Sequence, residues 1–207
     1  MWHWTESYSV AVGFAVWILQ RDGLPVPPFD AHPQGDAELQ SVGLNGSDWS
    51  AWLAMIVGIE DQAGEAASTV DLRAARTEES DELNRLDARR TPPECWPGGE
   101  EIHRRLEKLW TIYQPFGEGW LQAMTSAKRH SRISAGQERR LWRQIRPFGG
   151  RLPTLHVYVV DYPRLVAMPI PPVSCVVGVG ADDPDGRGYV DLVTTAAVEL
   201  ASAAPRG

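Results

Sequence analysis

Read for its alternation of apolar and polar positions, the chain divides into a long part with helical spacing and a short C-terminal stretch of a different kind. Residues 155–180, LHVYVVDYPRLVAMPIPPVSCVVGVG, hold the only two dense β-branched runs that lie close together. These runs, 155–160 and 173–179, are Val-rich with an aromatic and little charge, the composition of central strands with most of their area buried. Twelve residues separate them, and Pro163, Pro169, Pro171 and Pro172 stand among those, so no crossover helix fits between, as a simple parallel pair needs. The expectation is a hairpin with a wide connection, or a meander in which 165–168 is a short middle strand that prolines keep brief or at an edge.

Upstream the pattern is helical. After Ser7 the run YSVAVGFAVWILQ is apolar on nearly every face; its length and a Ser7 or Ser9 cap favour a buried helix over a strand, with Arg21-Asp22-Gly23 as the stop. Residues 24–36, LPVPPFDAHPQGD, read as a rigid proline-rich connection, and 36–42 as a short helix closed by Gly43. Ser47 or Asp48 caps the next helix, where Trp49, Trp52, Leu53, Ile56 and Ile59 repeat at helical spacing and point inward. Residues 61–91 break the composition: Ala, Glu, Asp and Arg dominate, as in a solvated helix over 79–89 or an insert. TPPECWPGG, 91–99, is a loop.

Residues 100–113 give the cleanest amphipathic signal, with Ile102, Leu106, Leu109, Trp110 and Tyr113 on one stripe. Pro115-Phe116-Gly117 predicts a break, so that 118–128 follows as the second arm of an αα-hairpin. Ser134 to Gln137 resembles a capping box opening a third helix through Arg146, and Pro147-Phe148-Gly149-Gly150 ends it. Beyond the strands ADDPDGRG is a turn, and 189–201 is a terminal helix with Val190, Val193, Ala197 and Leu200 inward. The fold class that follows is α+β: a helix-rich N-terminal two-thirds packed with a small, mainly antiparallel sheet near the C-terminus and a C-terminal helix. A chain of 207 residues suits a single domain, 1–207, in which 61–99 is an insert or linker between the N-terminal helices and the αα-hairpin with its sheet.

Composition narrows the classes. Cys95 and Cys175 are the only cysteines and form neither a disulfide framework nor a zinc spacing, so the expected compartment is reducing. The apolar run 10–19 is half the length that spans a bilayer and has no Lys or Arg before it, which predicts a cytoplasmic protein without membrane contact. Lys occurs only at Lys108 and Lys128 while Arg abounds, the bias of GC-rich coding and of a bacterial source. Nine Trp is a high count that calls for aromatic anchors in a core or interface, and Trp2 and Trp4 at the start suggest docking of that end.

Charge supplies the strongest candidate for function. Residues 128–151 carry eight basic residues, Lys128, Arg129, Arg132, Arg139, Arg140, Arg143, Arg146 and Arg151, against Glu138 alone, so eight minus one leaves +7 in a chain of net charge −7. At about 100° per residue, Arg139, Arg143 and Arg146 form one stripe, Leu141 and Ile145 face elsewhere, and Trp142 lies at the border. Such a row suits phosphates or an acidic protein surface.

Catalytic patterns are weaker. GVGADDPDG, 178–186, lacks the third glycine of a dinucleotide loop and, read as a calcium loop, has Ala181 and Leu192 at ligand positions. Asp161 with Asp182 or Asp183 after the two strands is a metal pair only if the strands bring them together. Cys175 and His156 form a thiol–imidazole pair only if their strands place them on one face. His3, His32, His103 and His130 have no ligand spacing, and no Ser sits in a GxSxG elbow. The preferred reading is a non-catalytic accessory subunit, without cofactor or metal, that docks partner proteins through Trp-bearing and charged surfaces. The alternative is an RNA- or DNA-binding subunit using helix 134–146 and its flanks.

Overall fold

The computed structural model describes residues 4–29, 41–69, 95–126, 135–148, 154–179 and 187–203. In chain order these form β1 (Trp4–Ser7), α1 (Val10–Asp22), α2 (Gly46–Thr69), α3 (Glu100–Ser126), α4 (Ala135–Ile145) with a 3-10 turn (Arg146–Phe148), β2 (Leu155–Asp161), β3 (Val166–Ile170), β4 (Ser174–Val179) and α5 (Arg187–Ala203). The class is α+β, as the sequence implies. Contacts gather the chain into two compact units: Met1–Ser9, Pro27–Phe29 and Ala123–Gly207 in one, Val10–Val26 and Asp30–Gln122 in the other.

In the second unit, the unbroken apolar run of α1 buries residues on every face of the helix. Phe14 is its hub. Its ring meets those of Trp17 at 6.0 Å, Trp52 at 6.0 Å, Trp110 at 5.1 Å and Tyr113 at 5.4 Å between centroids, so α1, α2 and α3 share one aromatic cluster. The Trp49 indole N–H donates to the Ala15 carbonyl at 2.6 Å, which pins α2 to α1. Helix α1 stops where expected: Gly23 has φ 64°, its N–H bonds the Gln20 carbonyl and that of Leu24 bonds Leu19, a Schellman closure. The buried Asp22 carboxylate pairs with Arg21 at 2.6 Å and accepts the Val42 N–H at 2.7 Å and the Ser41 hydroxyl at 2.9 Å. Residues 41 and 42 are thereby tied to the end of α1 and lie outside any helix, unlike the helix expected over 36–42, of which 36–40 lie outside the described residues.

Three further expectations change here. Asn45 caps α2, its side-chain oxygen accepting the Asp48 N–H at 2.9 Å and the Ser47 hydroxyl at 2.6 Å, while Ile59 is exposed rather than inward. Pro115 does not break the second helix: α3 runs unbroken from Glu100 to Ser126, so there is no αα-hairpin. Pro115 and Thr111 both lie on the exposed side, where the Thr111 carbonyl that Pro115 cannot serve is open to solvent. On the inner side Tyr113 and Val10 both pack closely over Gly117, where a Cβ would lie 2.8 Å from Tyr113 Cε1 and 3.0 Å from Val10 Cγ1.

The other unit contains the sheet, ordered β1-β2-β4-β3. It is mixed rather than mainly antiparallel: β1 with β2 and β2 with β4 are parallel, and only β3 with β4 is antiparallel. The reason lies in the connection. β3 runs back along the sheet one position beyond β4, and β4 then fills the gap beside β2, so a strand does the returning work that a crossover helix does elsewhere. Pro169 stands on that edge strand, where a missing N–H costs least. The Val-rich runs are the two central strands, and every residue of β4 is buried, as a strand covered on both faces requires.

Register sorts the two faces. Trp4, Glu6, Val157, Val159, Cys175 and Val177 share one face, and Thr5, His156, Tyr158, Val160, Ser174, Val176 and Gly178 the other. Helix α5 covers the first, with Val190, Val193, Ala197 and Leu200 all buried as the spacing implies. Its Tyr189 hydroxyl donates to Glu6 Oε1 at 2.8 Å, and the Trp4 indole donates to the same oxygen at 3.1 Å. Burial, and then the charge of Glu6, raise the Tyr189 pKa well above the usual tyrosine range, so the phenol remains a donor. Trp4 thus docks on its own protein; Trp2 lies outside the described residues. On the second face Tyr162 packs over Gly178 and meets Phe29 edge-on at 4.9 Å.

A Cβ at Gly178 falls 2.7 Å from that of Tyr162, whereas one at Gly58 in α2 meets open space. Gly178→Ala is expected to lower unfolding free energy by about 1–3 kcal/mol, and Gly58→Ala to raise it by ~0.5–1 kcal/mol; urea denaturation reads both, and equal effects contradict the packing. Tyr189→Phe is expected to cost about 1.5 kcal/mol in the same assay, through the lost bond to a carboxylate.

Candidate interaction surface on the basic helix

Helix α4 has two unlike sides because its sequence alternates them. Leu141 is 1 % exposed, and Gln137, one turn earlier on the same side, donates its amide to Asp191 of α5 at 3.1 Å. This underside fixes the helix against its own unit; the side chain of Ile145, expected on the same side, lies outside those described. The opposite side carries Arg139, Arg140 and Arg143, continued by Arg146 at the start of the 3-10 turn, all exposed, with Trp142 beside them at 40 % exposure. Arg143 Nε donates to the Arg139 carbonyl at 3.3 Å, laying that side chain back along the helix. Among the described residues Arg140, Arg143 and Arg146 form no ion pair, while Arg21, Arg104 and Arg105 in the other unit are paired with Asp22 or Glu101. Lys128, Arg129, Arg132, Arg151 and the Ser134 cap lie outside the described residues.

Trp142 is set apart by what the other tryptophans do. Trp49, Trp52 and Trp96 are buried and Trp4, Trp17, Trp110 and Trp120 half-buried, so seven of the eight described serve packing. On α3 of the other unit Phe116 is 73 % exposed and Ile112 lies one turn earlier, a second apolar strip. Periodicity could not single out either, since it had assigned Trp142 only to a border and read 115–117 as a break.

The catalytic candidates do not assemble. In the parallel register Cys175 stands opposite Val157 and His156 opposite Ser174, so thiol and imidazole project from different faces of the sheet. Burial pushes the Cys175 thiol up to about 12, which keeps it protonated and unreactive. Asp161 ends β2 beside Val179, and because β2 and β4 are parallel neighbours their C-terminal ends lie together, which neither a hairpin nor a meander gives. Partial burial raises the Asp161 carboxyl above the ordinary range. Asp182, Asp183 and the whole loop 180–186 lie outside the described residues, and no group of three or more His, Cys, Asp or Glu able to hold a metal occurs among the described ones. His103 is engaged with the Trp96 carbonyl at 3.0 Å. His3, His32 and His130 lie outside the described residues.

Comparison with protein-family models, curated proteins and solved structures finds no match for the chain. No helix among the described residues is long and apolar enough to cross a membrane.

With a thiol pKa near 12, only about one Cys175 in ten thousand is thiolate at pH 8. A thiol-alkylating reagent at that pH is expected to modify the half-exposed Cys95 and to reach Cys175 only after denaturation; mass spectrometry of the folded protein reads this. Rapid labelling of Cys175 in the native state contradicts its placement.

Proposed function

We propose that the chain is a non-catalytic interaction subunit of a reducing, cytoplasmic compartment, and that it docks a partner protein on the outward side of α4. The observation that carries this reading is the row of exposed guanidinium groups at Arg139, Arg140, Arg143 and Arg146 with a part-exposed Trp142 at its side. Arg and Trp are the residue types that concentrate binding energy at the centres of protein interfaces. The absence of a carboxylate partner for three of the four arginines among the described residues leaves their charge available to a binder. Both cysteines are free thiols, in keeping with a reducing compartment. RNA or DNA is the alternative ligand for the same row.

A photoactivatable residue at position 142, compared with one at the exposed Thr195 of α5, tests this in the source cells. Position 142 is expected to give a discrete protein adduct that the Arg140→Glu/Arg143→Glu variant loses by about tenfold. Adducts removed by nuclease favour the nucleic-acid alternative, and equal adducts from positions 142 and 195 contradict both.

A further inference from the structure

Resting on that reading, we infer that α4 receives an acidic, helix-forming segment of the partner, with carboxylates one turn apart along the arginine row and an apolar side chain against Trp142. Arg139, Arg143 and Arg146 follow one another at four and three residues, which at 1.5 Å per residue makes a row about 10 Å long. Asp or Glu at the same intervals on a second helix matches the spacing of that row, and Arg143 and Arg146, which form no ion pair among the described residues, each offer such a carboxylate a planar fork of donors. Arg140 and Trp142 flank the row on opposite sides, so the partner's neighbouring residues meet a charge on one edge and an indole on the other.

The same geometry disfavours the other anionic surfaces. A bilayer takes up the apolar side of a basic helix, but Leu141 is already buried within the protein, and Trp142 is the one large apolar side chain that the described outward face offers. Strong, salt-sensitive binding of nucleic acid draws on about 6–10 phosphate contacts, and among the described residues this face presents four arginines, on a chain of net charge −7 that repels a long polyanion. A short segment with two or three carboxylates matches Arg140, Arg143 and Arg146 and carries no such excess.

The test uses the full chain and a fluorescent synthetic peptide, alanine-based and helix-forming, with Glu at positions i, i+4 and i+7 and Leu on the adjoining stripe. Anisotropy at about 100 mM salt, where charges beyond roughly 10 Å are screened, is compared for this peptide, its Leu→Ala form, a single-stranded oligonucleotide of equal charge and vesicles of anionic lipid. Saturable peptide binding is expected to weaken about tenfold in Arg140→Glu/Arg143→Glu and about three- to tenfold both in Trp142→Ser and with the Leu→Ala peptide. Circular dichroism confirms that these surface variants stay folded. Binding that is indifferent to Trp142 and to the Leu, or tighter binding of the oligonucleotide or the vesicles, overturns the inference. If the peptide fails to bind while the protein adduct at position 142 still depends on Arg140 and Arg143, the docking reading stands and the acidic segment falls; loss of both removes the reading itself.

Discussion

The unit that contains the sheet depends on one constraint: β2 and β4 are apolar on both faces and must be covered on both. Every residue of β4 and most of β2 are buried, so the sheet stands only if a layer lies over each side. Over the face that carries Val157 and Cys175 that layer is α5, held by its own buried residues and by the Tyr189 bond to Glu6. Helix α5 in turn offers Asp191 to Gln137, and beside that bond Leu141 is buried. A helix fixed by that underside has one direction left for Arg139, Arg140, Arg143 and Arg146, which is toward water. The charged face is thus a consequence of sheet burial two layers away.

The sequence was most informative where a side chain's surroundings are set by its own element. The Val-rich runs, the inward residues of α5, the Gly23 stop and the outward arginine stripe all follow from spacing that the chain repeats locally. Partner choice was less legible. Strand direction depends on where β3 lies, and twelve residues that look too few for a crossover suffice when the return is itself a strand placed beyond β4. The four residues of β1 have no period of their own; they become a strand because β2 offers an edge and Tyr189 a hydroxyl for Glu6. Pro115 misled because the cost of a proline depends on exposure: on the exposed side of α3 the carbonyl that loses its helix bond is open to solvent, while the inner side stays packed at Gly117 against Tyr113 and Val10.

The candidate surface was legible to a similar depth. A helical projection places the arginines on one stripe without any tertiary knowledge, but the absence of ion pairs to described residues at Arg140, Arg143 and Arg146 and the exposure of Trp142 depend on what packs nearby, which periodicity does not carry. The same holds in the opposite sense for the chemistry: Cys175 and His156 stand close along the sheet, and a register of β2 on β4 decides that they face apart. A high tryptophan count pointed equally to core and interface. Phe14 and its ring neighbours account for much of the first, and Trp142 is the one described tryptophan left for the second.

That the guanidinium groups of Arg140, Arg143 and Arg146 face solvent, unclaimed by carboxylates of the described residues, is the claim from which the functional account grows. Timed modification of the folded chain with an arginine-selective dicarbonyl reagent, read residue by residue by mass spectrometry, measures it directly. Arg140, Arg143 and Arg146 are expected to react early, and Arg21, buried against Asp22, only on unfolding. Protection of Arg140, Arg143 and Arg146 to the level of Arg21 would show that side already covered, and would contradict the account.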